Sequence, residues 1–467
     1  VQNFENLNPA NTLWSKQHHL YAHVDTESER YLGFEKYWGG YVFLTTQEIQ
    51  FIVDELFIGN HLSTAELVND DGVRIDLRNI RSPIVVFCSE GDNITPPPQA
   101  LGWITDLYKS DEDILAHDQT IVYAIHDSIG HLGIFVSGSV ALKEHNEFAT
   151  HIDLIDVLPA GIFQAEIKET TADTLNPELA YGDYVLSFER RKLEDIGAIV
   201  ETNPEDDWRF AAVRNLSDIN LGLYRRYVQP WIRIWITPPM AEALSSAHPL
   251  RIAYESMSDR NPWYSRLEAY AAEMRAHREP VPEDNPLMAW QNLVSQTMES
   301  TLNMYRDGRD YLVEQTFMQV FGSPMAQAFL GQGASRAPAP RAHPGESPEQ
   351  RRFNEEQFAQ MQKRIDEGGL LAAVLRFLMY VEKDIDHVDE RTFNLARRLW
   401  CDEEAHEFFC LCEGMDTHGG GSSSSMHGFS LDVFKDAVRE QAFIMLWDES
   451  AAIDAIPLLL KTRSEER

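Results

Sequence analysis

Apolar residues recur along the chain at two spacings, and the change from one to the other marks its elements. Ile49, Ile52, Val53, Leu56 and Phe57 fall three and four residues apart, the repeat that collects side chains on one face of a helix. Pro83-Ile-Val-Val-Phe-Cys88 is instead a continuous β-branched run, as expected of a strand covered on both faces in a parallel sheet. After the loop Pro96-Pro97-Pro98, helical spacing returns at Leu101, Ile104, Leu107 and Tyr108, and Thr120-Ile-Val-Tyr-Ala-Ile125 forms a second strand-like run. Strand, helix and strand in this order predict a βαβ unit. Residues 162–167 and 184–188 predict a small β extension.

From Asp206 onward the spacing is helical and is punctuated at Pro238-Pro239, Asn261-Pro262 and Asn285-Pro286. The longest segment runs from Leu287 to Phe321, with Trp290, Val294, Met298, Leu302 and Tyr305 lining one face, and Gly322-Ser323-Pro324 stops it. Residues 331–350 are rich in Gly, Pro, Ala and Ser, with little to bury, and read as a linker. A second helical block follows, interrupted by a flexible loop at Gly419 to Ser425. There is no internal repeat of fixed period. The expected fold class is α/β plus all-α, divided as 1–160 (α/β with a lid segment), 161–330 (helical extension), 331–350 (linker) and 351–467 (helical).

Composition narrows the function. A formal charge of -34 over 467 residues repels phosphate backbones, so nucleic acid is excluded as a partner, and an anionic substrate would need a local basic entrance. Four cysteines form no disulfide framework, and Cys88 sits in an apolar run as a small buried thiol, which together point to a reducing cytoplasm. No stretch has the length of a membrane span and no signal peptide opens the chain; a valine start suggests that upstream residues are missing. The aromatics and histidines of residues 1–60, Trp14, His18, His19, Tyr21, His23, Tyr37 and Trp38 among them, read as core and lid packing.

The chemistry-bearing segments follow the two strand-like runs. Ser89-Glu-Gly-Asp92 follows the first and Gly130-His131 follows the second, so both Asp92 and His131 fall just past the carboxyl ends of parallel strands. Sites in open α/β sheets sit at that edge. An acid aimed at the far nitrogen of a histidine fixes its tautomer and stabilises its charged form, which makes the histidine a base for a nucleophile. The order acid then histidine is that of the α/β-hydrolase triad.

Leu56-Phe-Ile-Gly-Asn60, Ile75-Asp-Leu-Arg-Asn-Ile80, Gly91-Asp92-Asn-Ile and Gly130-His131-Leu-Gly, in that order, resemble the polyhydroxyalkanoate synthase branch of the α/β-hydrolases. The similarity is greatest to its uncharacterised relatives labelled 3-hydroxyalkanoate synthetase, which share the long helical carboxy-terminal region. The resemblance implies the carboxy-terminal part of a hydrolase sheet with a lid over residues 1–160, Asp92 as the orienting acid and His131 as the general base. The separation of 39 residues (131 − 92) is long for the synthases and fits the relatives, with an extra loop around Lys109 to Gln119.

Those enzymes attack with a cysteine or serine on a Gly-x-Cys/Ser-x-Gly elbow upstream of the acid. Ser15, Ser28, Ser63, Ser82, Cys88 and Ser89 precede Asp92, and none lies in such an elbow. The expected function is acyl transfer from, or hydrolysis of, a 3-hydroxyacyl thioester or ester, with the nucleophile outside this chain and the chain inactive alone. A missing amino-terminal half would then be a partner, and an uncovered sheet edge would favour oligomers. The alternative is a scaffold that uses residues 206–467 to bind a partner or granule surface.

No cofactor is implied. Cys401, His406, Cys410, Cys412, His418 and His427 match no zinc spacing. His126 reads as packing beside the site, and Arg190-Arg191-Lys192 and Arg225-Arg226 as solvated charge.

Overall fold

The computed structural model describes residues 7–39, 44–131, 133–248, 251, 252, 256, 258, 261–279, 281, 282, 284–332, 344, 345, 347–367, 370–383, 387–401 and 431–465. The chain is α/β with many additional helices, and its contacts divide it into two units. One comprises residues 51–203 and 341–467 and holds the sheet; the other comprises residues 1–50 and 204–340 and is helical.

The sheet has five strands in the order β1 (Ile84–Ser89), β2 (Thr120–His126), β3 (Gly161–Glu169), β4 (Tyr184–Arg191) and β5 (His387–Asp389). β1, β2 and β3 run parallel, whereas β4 is antiparallel to both β3 and β5. The two-residue repeat of a strand sends alternate side chains to opposite faces, and β2 shows why its sequence is apolar throughout. Ile121 and Tyr123 enter one core with Leu101, Ile104 and Leu107 of α1 (Pro97–Leu107), Ile114 of α2 (Asp111–Ala116) and Ile196 of α3 (Leu193–Val200). Val122 and Ala124 enter the opposite core with Leu154, Phe163, Phe188, Phe393 and Phe434. Both faces are therefore covered at β2, whereas in β1, expected to be covered on both faces, Val85 is 40% exposed.

The predicted β extension is real and larger than expected, since β3 and β4 continue the same sheet. The carboxy-terminal helices also join this unit: α4 (Pro348–Arg364), α5 (Leu370–Lys383), α6 (Glu390–Cys401), α7 (Leu431–Trp447) and α8 (Glu449–Glu465). The fold thus divides along different lines from 1–160, 161–330 and 351–467. An amphipathic pattern states that a face is buried but not against what. Within this block Arg376 is fully buried and donates to the main-chain carbonyls of Arg364, Ile365 and Glu367, closing the carboxyl end of α4.

In the helical unit the prolines start helices rather than merely interrupting them. Asn261 and Asn285 accept hydrogen bonds from the main-chain N–H groups of Trp263 and Leu287, and proline follows each in the first helical position. The helix Pro286–Phe321 spans 36 residues, as its spacing predicts. Its apolar face is only partly covered: Val294 and Leu302 are half-buried, whereas Trp290 is 65% and Tyr305 61% exposed. The linker residues 333–343 and the loop Gly419 to Ser425 lie outside the described residues. Among the described residues, no helix is long and apolar enough to cross a membrane.

A buried polar tie fastens α6 to the sheet. The Glu390 carboxylate accepts the Tyr181 and Leu186 N–H groups, each at 3.3 Å, and meets Nε2 of His151 as an ion pair. On the other side of the ring, His151 Nδ1 donates to the Glu147 carbonyl at 2.9 Å and faces its carboxylate at 3.4 Å. Burial opposes charge on His151, but hydrogen bonding and attraction to Glu390, with help from Glu147, outweigh it and raise the imidazole above its ordinary 6.5. Burial, reinforced by the nearby Glu390 charge, also lifts Glu147 above 4.5 despite His151. Both groups hold protons more tightly when folded, so their stabilisation is complete below the unfolded values and is lost as pH rises through the folded ones. Urea unfolding should show stability falling as pH climbs from 6.5, and His151→Gln should flatten that alkaline decline. Identical slopes in the two proteins would remove His151 from the tie.

Candidate active site

The site begins where β1 and β2 end together. Their register pairs Ser89 with His126, the last residue of each strand. The pairing continues into the loops, because the His126 carbonyl accepts the Glu90 N–H at 2.9 Å and the Ser89 hydroxyl at 3.0 Å. Ser89 Oγ in turn accepts the Gly91 N–H at 3.1 Å. His126 turns its ring inward, with Nδ1 accepting the N–H groups of Ser128 and Ile129 at 3.1 and 3.3 Å, and so holds the second loop. This matches its expected role beside the site.

The two loops cross at Gly91. A Cβ there would lie 2.2 Å from the Ser128 carbonyl oxygen and 2.9 Å from the Ile129 nitrogen, both main-chain atoms. Only a residue without a side chain allows this approach. It places the next residue, Asp92, against His131.

Asp92 is 2% exposed, and both of its oxygens are engaged. Oδ1 accepts the main-chain N–H groups of Ile94 at 2.8 Å and Thr95 at 2.9 Å. Oδ2 accepts the Thr95 hydroxyl at 2.7 Å and His131 Nδ1 at 2.9 Å. The Thr95 oxygen lies 3.1 Å from the same nitrogen, so a proton on Nδ1 is shared between Asp92 and Thr95. Burial works against ionisation of Asp92, but the Thr95 amide and hydroxyl, His131 and the Ile94 amide outweigh it and hold the carboxyl below its usual range. His131 keeps about a fifth of its side chain exposed, and its ring meets Phe135 edge-on at 6.4 Å. Among the described residues, Nε2 of His131 takes part in no hydrogen bond.

Thr95 is the member of the site that sequence reasoning missed. Its signal is local: Asp92-Asn-Ile-Thr95 has the spacing at which an aspartate caps the turn that follows and a threonine returns its hydroxyl.

Within the sheet unit, Cys88, Ser89 and Ser63 are each engaged elsewhere than at this pair. Cys88 is buried with its thiol toward the Ala124 carbonyl at 3.6 Å. Burial, then the Glu90 and Asp92 charges, push it up to about 12, so it stays a thiol. Ser89 is consumed in the loop bonds, and Ser63 donates to Asp106 at 2.9 Å. Among the described residues of this unit, no serine or cysteine hydrogen-bonds to His131.

For metals, Glu147, His151 and Glu390 bring ligand atoms within 4.8 Å of one another, and the ion pair with the carbonyl bond already engages both ring nitrogens. His406, Cys410, Cys412, His418 and His427 lie outside the described residues, as does the side chain of Cys401. Arg191 is tied to Gln164 and Glu189, while Arg190 and Lys192 are exposed.

Gly91→Ala tests the crossing without altering a polar group of the site. One loop must shift, at a cost of about 1–3 kcal/mol in unfolding free energy, and the Nδ1 proton resonance of His131 should change or vanish. Unchanged stability together with an unchanged resonance would show that the loops do not depend on this approach.

A family model described as "Protein of unknown function (DUF3141)" matches residues 1–365. A protein from Rhizobium meliloti described as "Uncharacterized protein in ackA 5'region" is 48% identical over 467 residues, which cover 100% of this chain and 61% of that protein. The chain therefore spans less than two thirds of the length of that curated relative. No solved structure matches the chain. With the family model covering more than three quarters of its length, the chain belongs to the DUF3141 family.

Proposed function

We propose that Asp92 and His131 are the acid and base of an α/β-hydrolase-type site, related to the polyhydroxyalkanoate synthases, that transfers or hydrolyses acyl groups carried as 3-hydroxyacyl thioesters or esters. The observation that carries this reading is the 2.9 Å contact between a buried, fully bonded carboxylate and His131 Nδ1 at the carboxyl edge of two adjacent parallel strands. With Nδ1 donating to Asp92, Nε2 is the nitrogen with a free lone pair. It takes the proton of a thiol or hydroxyl as that group attacks the acyl carbonyl, and returns it to the departing thiolate or alkoxide. Asp92 stays ionised throughout, holding the tautomer and stabilising the imidazolium. The nucleophile in this mechanism is a group outside the described residues.

A scaffold function is the second reading. It is favoured by large apolar side chains left open in the helical unit, such as Trp235 at 71% and Phe329 at 87% exposure. A partner is expected to cover them.

Release of free thiol from a 3-hydroxyacyl thioester, together with intact-mass detection of an acyl adduct, separates the two. In the protein that carries the nucleophile, His131→Ala should cut the rate by about 10²–10⁴-fold, the usual worth of a general base. Asp92→Asn should also be damaging, though less so for a cysteine than for a serine, because a thiol is already partly ionised. Full turnover by His131→Ala would eliminate the mechanism. Absence of both turnover and adduct from every variant would favour the scaffold.

A further inference from the structure

At the far edge of the sheet the same unit encloses a cavity of about 550 Å³. Its walls come from the sheet (Phe163 and Phe188), the helix Ile152–Val157 (Leu154), α5 (Leu375), α6 (Phe393) and α7 (Phe434). These walls are overwhelmingly aliphatic and aromatic. Protein interiors pack to near-crystalline density with few voids larger than a water, and an apolar space of this size, left empty, forfeits contacts along every wall. Its volume lies instead within the range of small-molecule sites, about 300–1,000 Å³.

The charged lining residues are Arg190 and Lys192, at the end of β4, and Glu449, the first residue of α8. Both cations are exposed, and among the described residues neither lies within ion-pair distance of a carboxylate. Two unpaired cations beside one opening are an uneven distribution on a chain with a net charge of -34. The register fixes where they sit. Arg190 pairs with Phe163, which pairs with Val122, four residues before the end of β2. At about 3.3 Å per strand residue, that level is about 13 Å from the edge that carries Asp92 and His131.

We propose that this cavity binds an unbranched acyl chain ending in a free carboxylate, with the chain among the apolar walls and the head at Arg190 and Lys192. A polar body would leave its own groups without hydrogen-bond partners inside such walls. A cationic head would meet two like charges. The site is separate from the Asp92–His131 pair and does not rest on the function proposed for it.

Calorimetric titration of the full chain with dodecanoate tests this. Saturable binding at one site is expected, while dodecyltrimethylammonium, with the same chain length and the opposite head charge, should not saturate. The double variant Arg190→Glu/Lys192→Glu, on exposed positions, should weaken dodecanoate binding at least about tenfold. Ala442→Trp fills the cavity from α7 and should abolish binding in a protein that still unfolds cooperatively. His131→Ala should bind dodecanoate as the parent does. Failure of the parent to bind, equal affinity for the two head groups, or unchanged binding by a folded Ala442→Trp would overturn the proposal. So would loss of binding in His131→Ala. If Ala442→Trp does not fold, the charge-reversed variant decides: unchanged affinity there places the head elsewhere and overturns the assignment.

Discussion

The close approach of two loops, rather than any single hydrogen bond, is the constraint on which the candidate site depends. β1 and β2 pair through their last residues, and the His126 carbonyl draws both the amide of Glu90 and the hydroxyl of Ser89 toward it. That pairing brings the chain after β1 so near the chain after β2 that Gly91 has no room for a methyl group. Once the backbones are fixed at that distance, the Asp92 carboxylate has few orientations open to it. Thr95 and Ile94 take one oxygen, and the Thr95 hydroxyl and His131 share the other. The geometry of the pair is thus set in advance by backbone packing rather than by the ordering of free side chains.

The same economy of polar groups runs through the rest of the sheet unit. Buried charge is tolerated where every lone pair or donor is matched. Asp92 meets that condition with four bonds. Glu390 meets it with two amides from the β4 region and an imidazole, and Arg376 with three carbonyls at the end of α4. Glu390 in this way joins β4 and α6, some 200 residues from one another. Hydrophobic burial supplies the driving force for these contacts, but apolar faces slide easily past one another. Matched polar ties give them register.

How much of this was legible from sequence follows from the range of each interaction. β1, β2 and α1 were readable because their signals are local: β-branched runs, helical spacing and a proline loop between them. Asp92 and His131 were readable because each lies in the short loop that follows a strand. The role of His126 could also be anticipated, and the helix Pro286–Phe321 was found to within a residue, since Asn285, Pro286 and Gly322 mark its ends. The membership of β3, β4 and the carboxy-terminal helices in one unit was not, because period and amphipathicity carry no information about the partner. For the same reason the apolar face of Pro286–Phe321 is only partly covered in the structure. The tie of Glu147, His151 and Glu390 was half visible as an acid and a histidine four residues apart, but its third member comes from a segment about 240 residues away.

A sheet of this kind has two edges with different physical properties, and the chain uses them differently. At the carboxyl edge of β1 and β2, loops converge and main-chain amides point at side-chain acceptors, so a carboxylate can be held charged in a dry setting. At the opposite edge β4 returns antiparallel and leads through Arg190 to Lys192, and the helices from the distant carboxy-terminal block close over the strand faces without filling the space beneath them. Helices that arrive late in the chain cover the face, yet their packing against β3 and β4 is not continuous. The gap is apolar because both of its walls were selected to face a core, and cationic at its rim because the strand ends there in basic residues. Charge on this acidic chain is thus placed by strand geometry: matched and buried at one edge, unmatched and exposed at the other.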